Sequence, residues 1–137
     1  LGLRVLLVED NAVNRTIIAA QLSQLGCIQA QATNGEEALE LLQREPLPDV
    51  ILMDCHMPKL DGWETTRAIR SWVRDPHPIR QRASVLPIIA LTAAAMPEER
   101  ARCAEVGMNG FLAKPLKLAD LHQALHSIAE TVQGGTR

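Results

Sequence analysis

The sequence predicts an α/β fold: a single doubly wound (βα)5 domain around a five-stranded parallel sheet. Three observations carry that prediction. Five short apolar runs alternate with five segments of helical period, the order that parallel strands with crossover helices require. The strongest runs are almost continuously apolar, as strands covered on both faces must be. And 137 residues, 47% hydrophobic and 22% charged, suit one domain with one sizeable core and exclude a disordered chain.

The first strand is Leu3 to Val8, and it runs directly into Glu9-Asp10-Asn11. Val13, Ile17, Ile18, Leu22 and Leu25 then mark a helical stripe that Gly26 ends. Ile28 to Ala32 is a weaker strand, and Asn34-Gly35 turns the chain into a second helix from Glu36 to Arg44. Pro46 and Pro48 break that helix before the third strand, Asp49 to Asp54, which again ends in an acid. Pro58 and the Asp61-Gly62 turn lead to a third helix from about Trp63 to Trp72 or Val73. Arg74 to Pro87 has three prolines and no clear period, and reads as a loop insertion. Ile88 to Thr92 is the fourth strand. Pro97 suits the first position of a helix that runs through Glu98 to Val106 and stops at Gly107. Gly110 to Lys114 is a short fifth strand, and Leu118, Leu121, Leu125, Ile128 and Val132 carry the last helix. Residues 1–132 form the expected domain and 133–137 a tail or linker. With Leu1 rather than Met at the start, a domain excised from a longer protein is expected.

Composition narrows the function classes. No apolar run is long enough to span a bilayer, and no secretory pattern is present. A net charge of −2 without a basic cluster argues against a nucleic-acid-binding face. Cys27, Cys55 and Cys103 form no C-x-x-C, so they read as reduced thiols of a cytoplasmic protein rather than a zinc site or a disulfide framework. Arg67, Arg70, Arg74, Arg80 and Arg82 make the third helix and the following stretch locally basic, which reads as a solvated face. His77, His122 and His126 read as solvated; the last two are spaced i, i+4 but lack a third metal ligand. Trp63 and Trp72 suit packing or a partner contact better than a cofactor.

In a doubly wound sheet, functional groups gather at the carboxyl ends of the strands. Those ends carry Glu9 and Asp10, Asp54, Thr92 and Lys114. Three carboxylates at one edge repel unless they share a proton or a hard cation, and all-oxygen ligands favour Mg²⁺ or Mn²⁺. Lys114 can pair with a phosphoryl oxygen as a point charge, and the Thr92 hydroxyl can donate to another. Asp54, after the central apolar strand, is the best nucleophile for an acyl phosphate, with Glu9 and Asp10 better placed as metal ligands.

Four segments, in order and each at a strand end, resemble the receiver domain of two-component response regulators. They are Val8-Glu9-Asp10-Asn11, Met53 through Gly62 (MDCHMPKLDG), Ala90-Leu91-Thr92-Ala93, and Gly110-Phe111-Leu112-Ala113-Lys114-Pro115. The resemblance covers about residues 3–130. It implies a flavodoxin-like strand order 2-1-3-4-5 and phosphorylation of Asp54 from a phosphohistidine on a histidine kinase or phosphotransfer partner. It implies Mg²⁺ held by Glu9, Asp10, the Asp54 side chain and the backbone carbonyl of His56. Thr92 and Phe111 become the switch pair that couples the site to the face of the fourth helix, fifth strand and fifth helix. His56 and Ala94 occupy the two positions that tune phosphoryl lifetime, and the Lys114–Pro115 bond is often cis in the family. The wording VEDNAVNR, MDCHMPKLDG and IIALTAAAMPEERARCAEVGMNGFLAKPL is similar to receivers attached to hybrid sensor histidine kinases. Such a domain catalyses phosphotransfer onto itself and slow hydrolysis, and is only marginally an enzyme.

Three other readings compete. A flavodoxin-like FMN protein would need a Ser/Thr/Gly-rich phosphate loop after strand one, where Glu9-Asp10-Asn11 stands. An Asp-nucleophile phosphatase of the haloacid-dehalogenase type would carry a second Asp two residues after the nucleophile, where His56 stands. A docking module with vestigial phosphorylation would not need the intact residue set.

Overall fold

The computed structural model describes residues 1–93 and 96–134. Five strands, β1 (Arg4–Val8), β2 (Ile28–Ala32), β3 (Val50–Asp54), β4 (Ile88–Thr92) and β5 (Gly110–Ala113), form one parallel sheet in the order β2-β1-β3-β4-β5. The helices are α1 (Ala12–Gln24), α2 (Gly35–Leu41), α3 (Gly62–Ser71), α4 (Pro78–Ala83), α5 (Pro97–Val106) and α6 (Leu118–Gly134). The doubly wound sheet expected from the apolar runs is therefore the one that forms.

The core lies in two layers because every central strand is covered twice. Leu3, Val5, Leu7, Val50, Leu52, Ile89 and Leu91 pack with Ile18 and Leu22 of α1 and Leu121, Leu125 and Ala129 of α6. Leu6, Val8, Ile51, Met53, Ile88 and Ala90 pack on the opposite face against α2, α3, α4 and α5. β3 and β4 are buried along their whole length, whereas the edge strand β2 is mostly exposed, which accounts for its weak apolar pattern.

Local chemistry sets the helix starts. Asn11 caps α1 by accepting from the Asn14 amide, and Asn34 caps α2 by accepting from Glu37. Asp61 and Glu64 form a reciprocal capping box at α3. Pro97 opens α5, as its fixed φ favours. Gly26, with φ of +75°, follows the last turn of α1 in the left-handed region that a Cβ disfavours.

Four expectations need correction. Residues 74–87 are not structureless: a 3-10 turn ends at Arg74 and the short α4 occupies Pro78–Ala83 within that stretch. A helix of one and a half turns is too short to show a period. The fourth and fifth helices of the sequence pattern are thus α5 and α6. On α1 only Ile18 and Leu22 are buried; Val13 and Ile17 are 68% and 52% exposed, since Ile17 lies about 100° and Val13 about 140° around the helix from Ile18. α2 ends at Leu41 rather than running to Arg44. α6 extends to Gly134, and residues 135–137 lie outside the described residues.

Candidate functional site

Strand parity decides which strand-end residues meet. Side chains alternate along a strand, and residues in register point to the same face. Asp54 is in register with Leu91, which belongs to the α1–α6 layer. Glu9 follows Val8, and Lys114 follows Ala113, both of the opposite parity; so Glu9 and Lys114 share the Asp54 side. Backbone bonds from Glu9 N to Ala32 O and from Lys114 N to Thr92 O continue the sheet pattern to these positions. Thr92 and Phe111 have the other parity, on the α5 side.

The three groups on the first side do converge, and Asp10 joins them from the loop that follows Glu9. Lys114 Nζ lies 2.8 Å from Glu9 Oε1 and 3.1 Å from Asp54 Oδ1. Glu9, Asp10 and Asp54 each offer a carboxylate oxygen, and these lie within 4.8 Å of one another. Glu9 and Asp54 are buried; Asp10 is exposed at the rim. Glu9 Oε2 accepts from the Asn11 amide at 3.1 Å, and Asp54 Oδ1 accepts from the His56 amide at 3.1 Å.

Electrostatics follows from that packing. Burial, then hydrogen bonding and repulsion from Glu9, raise the Asp54 carboxyl from 3.8 to about 7, against the lowering pull of Lys114. Burial alone would push the Lys114 ammonium down, but pairing with Glu9 and Asp54 outweighs it and the net shift is upward. One ammonium therefore does not balance the acids. Three oxygen donors around an under-compensated negative charge, with no nitrogen or sulfur donor among them, fit a small hard divalent cation such as Mg²⁺.

The glycine at position 62 also serves this site. A Cβ there would run into the backbone carbonyl oxygen of Asp54 and come within 2.9 Å of Cys55 Cα. The start of α3 thus packs directly against the chain that carries Asp54. The Lys114–Pro115 bond is cis, as is Glu45–Pro46.

Thr92 and Phe111 lie on the other face, beside α5. The Thr92 hydroxyl donates to Glu99 Oε1 at 3.2 Å, and the same oxygen sits 3.2 Å from His56 Nε2. Phe111 is half-buried with the Arg100 guanidinium 4.4 Å from its ring centre. The His56 ring meets Trp63 edge-on at 5.1 Å, and Arg102 lies 4.1 Å over that indole. Ala94 lies outside the described residues.

Sequence reasoning missed two residues here. Glu99 reads from sequence only as an acid in the first turn of a helix. Arg70 reads as part of a solvated basic face, and the structure overturns that. Its Nε and Nη2 donate to Gly107 O, Nη1 to Ser84 O and Leu86 O, and Nη2 also to Asn109 Oδ1, at 2.8–2.9 Å. Arg80 and Arg82 pair with Asp75 and Glu45. Cys55 and Cys103 are buried with their sulfurs 3.9 Å apart, and burial pushes the Cys55 thiol up. His122 and His126 are exposed, as expected, whereas His77 is half-buried ahead of α4.

Residues 5–126 match the family described as response regulator receiver domain. The chain belongs to that family. A hybrid signal transduction histidine kinase of Dictyostelium discoideum is 42% identical over 121 residues, covering 86% of this chain and 6% of its own length. The sensor histidine kinase RcsC of Salmonella typhi is 37% identical over 94% of this chain and 12% of its own length. The chain therefore spans about a tenth or less of these two relatives. Among solved structures, the receiver domain of a Pseudomonas aeruginosa sensor histidine kinase is 42% identical, with a TM-score of 0.78 over 93% of this chain and 97% of that one. It was solved with a magnesium ion coordinated in its active site cleft. A chemotaxis protein of Vibrio cholerae, at 29% identity, gives a TM-score of 0.80 over 93% of this receiver and 99% of its own chain. The more similar of these relatives, at 37–42% identity, are thus receiver regions of hybrid sensor histidine kinases. Among the described residues, no helix is long and apolar enough to cross a membrane.

Proposed function

We propose that this receiver is the phosphoacceptor of a two-component phosphorelay and carries the phosphoryl group on Asp54. The observation that supports it is the buried Asp54 carboxylate beside Glu9, Asp10 and Lys114, at the edge of the sheet where the other four strands also end. The donor is a phosphohistidine on a histidine kinase or phosphotransfer domain. An Asp54 oxygen attacks phosphorus, the O–P bond forms, the N–P bond breaks, and the histidine nitrogen leaves with the electron pair. Lys114 offsets charge on the transferred group's oxygens, and the Thr92 hydroxyl supplies a donor once a phosphoryl oxygen is within reach.

Glu9, Asp10, the Asp54 side chain and the His56 carbonyl would hold Mg²⁺, whose role when bound is to neutralise phosphoryl oxygens. Thr92 and Phe111 then relay the state of Asp54 to the face of α5, β5 and α6. The resemblance to kinase-attached receivers supports placement in a hybrid sensor histidine kinase, with this domain on the cytoplasmic side.

The test is incubation with Mg²⁺ and either a small acyl-phosphate donor or beryllofluoride, read by intact mass and by NMR. Wild type gains one adduct that needs Mg²⁺, and Lys114→Ala forms it more weakly. Asp54→Asn forms none. An equal adduct in Asp54→Asn would place the chemistry elsewhere.

A further inference from the structure

We propose that Glu99 is a positioning residue that holds the Thr92 hydroxyl on the α5 side and so opposes its recruitment to Asp54. The inference rests on the phosphoacceptor reading and adds a residue to it. A hydroxyl has one proton and can direct it to one strong acceptor at a time. Here Thr92 Oγ1 donates to Glu99 Oε1 at 3.2 Å. A phosphoryl group on Asp54 would present competing oxygens, so recruiting Thr92 must break that bond. By linkage, whatever stabilises the Thr92–Glu99 bond weakens the phosphorylated form by the same factor.

The bland alternative is that Glu99 merely complements the α5 dipole, as first-turn acids do. Two features distinguish it from that. Its side chain is 23% exposed, turned to the sheet edge, while its neighbour Glu98 is exposed. And one oxygen, Oε1, lies 3.2 Å from Thr92 Oγ1 and 3.2 Å from His56 Nε2, side chains arising at the ends of β4 and β3. The His56 amide in turn donates to Asp54 Oδ1. Glu99 therefore touches both the switch hydroxyl and the residue hydrogen-bonded to the phosphoacceptor. Arg100, the next residue, lies against Phe111. The first turn of α5 thus holds Thr92, His56 and Phe111 in their unphosphorylated arrangement.

The experiment is a titration of the whole chain with beryllofluoride in saturating Mg²⁺, following Trp fluorescence and the Thr92 NMR signals. Glu99→Ala should bind about three- to tenfold tighter, the range expected for losing one competing hydrogen bond to a carboxylate. Glu99→Gln, which removes the charge and keeps an acceptor oxygen, should stay within about twofold of wild type by the same reasoning. In a Thr92→Val background, adding Glu99→Ala should change the affinity little. Equal or weaker binding in Glu99→Ala overturns the proposal. So does a gain in Glu99→Gln as large as in Glu99→Ala, which would be a charge effect, or a gain that survives in Thr92→Val. Absence of binding by wild type would instead overturn the phosphoacceptor reading on which the proposal rests.

Discussion

At its carboxyl end α5 meets the Arg70 guanidinium, which donates twice to Gly107 O and once to Asn109 while also holding Ser84 O and Leu86 O. Cys103 and Val106 are buried there, and Gly107 turns the chain with φ of +102°. At its amino end, among the described residues, the same helix touches the site through Glu99 Oε1 and through Arg100 stacked on Phe111. One end is fixed by a fully engaged, half-buried guanidinium that bridges three segments. The other is held by contacts that a new charge at Asp54 could displace. If α5 responds to phosphorylation of Asp54, as the proposed relay requires, its amino end is the one expected to shift and its carboxyl end the one expected to stay in place.

The comparison breaks hardest at Arg70. Arg70→Leu leaves the carbonyls of Ser84, Leu86 and Gly107 without these donors, each at a fraction of the 1–3 kcal/mol cost of a buried unpaired group because solvent reaches part of the site. A loss of about 2–4 kcal/mol in urea unfolding is expected, with hydrogen exchange faster along α4 and the end of α5. Unchanged stability would mean that the far end of α5 is held by apolar packing alone.

Gly62→Ala comes next and attacks the site end through β3 rather than α5. The added Cβ collides with the Asp54 carbonyl, backbone that cannot swing away. We expect about 1–3 kcal/mol of destabilisation, the usual cost of overpacking, and weaker beryllofluoride binding through a displaced Asp54. A destabilised protein that binds with wild-type affinity would show that Asp54 tolerates the shift.

A smaller effect lies in the pH dependence. The folded Asp54 carboxyl titrates near 7 against 3.8 as its ordinary value, so the folded state binds the extra proton between those limits. Without Mg²⁺, stability contributed by this group is therefore highest below pH about 4 and falls as pH rises to about 7. Asp54→Asn should be the more stable protein at pH 8, by of order 1 kcal/mol, and the gap should close on acidification or on adding Mg²⁺ to wild type. A gap that widens towards acid would reverse the sign and disprove that the acids are under-compensated.

The contrast between the ends of α5 also explains what the sequence revealed and what it hid. The central strands are buried on both faces and give uninterrupted apolar runs, so Glu9, Asp54 and Thr92 stand out at the points where those runs stop, while Lys114 follows the short edge strand β5. Parallel pairing then carries these ends to one edge, and the order of the segments was enough to recognise the family. Arg70 could not be read this way, because its partners at 84, 86, 107 and 109 are remote in sequence and are mostly backbone oxygens. Glu99 was masked by a generic preference for acids in a first helical turn. Parity, not proximity in sequence, assigns Thr92 to α5 and Lys114 to the acids, and parity was available from the strand pattern had it been traced to the final residue.

The finest test of the contrast is Arg100→Ala. Its guanidinium lies 4.4 Å from the Phe111 ring centre on an exposed helix face, where such a contact contributes about 0.5–1 kcal/mol. Global stability should therefore move little. The Phe111 ring, however, loses the cover that favours its present position, and its NMR signals should shift towards those of the beryllofluoride complex even without ligand. If the ring signals stay fixed while Glu99→Ala moves them, the hold on this end of α5 is the Glu99 hydrogen bond alone. If Arg100→Ala moves them as far as Glu99→Ala does, the two neighbouring side chains share the restraint, and the movable end of the helix is a full turn rather than one carboxylate.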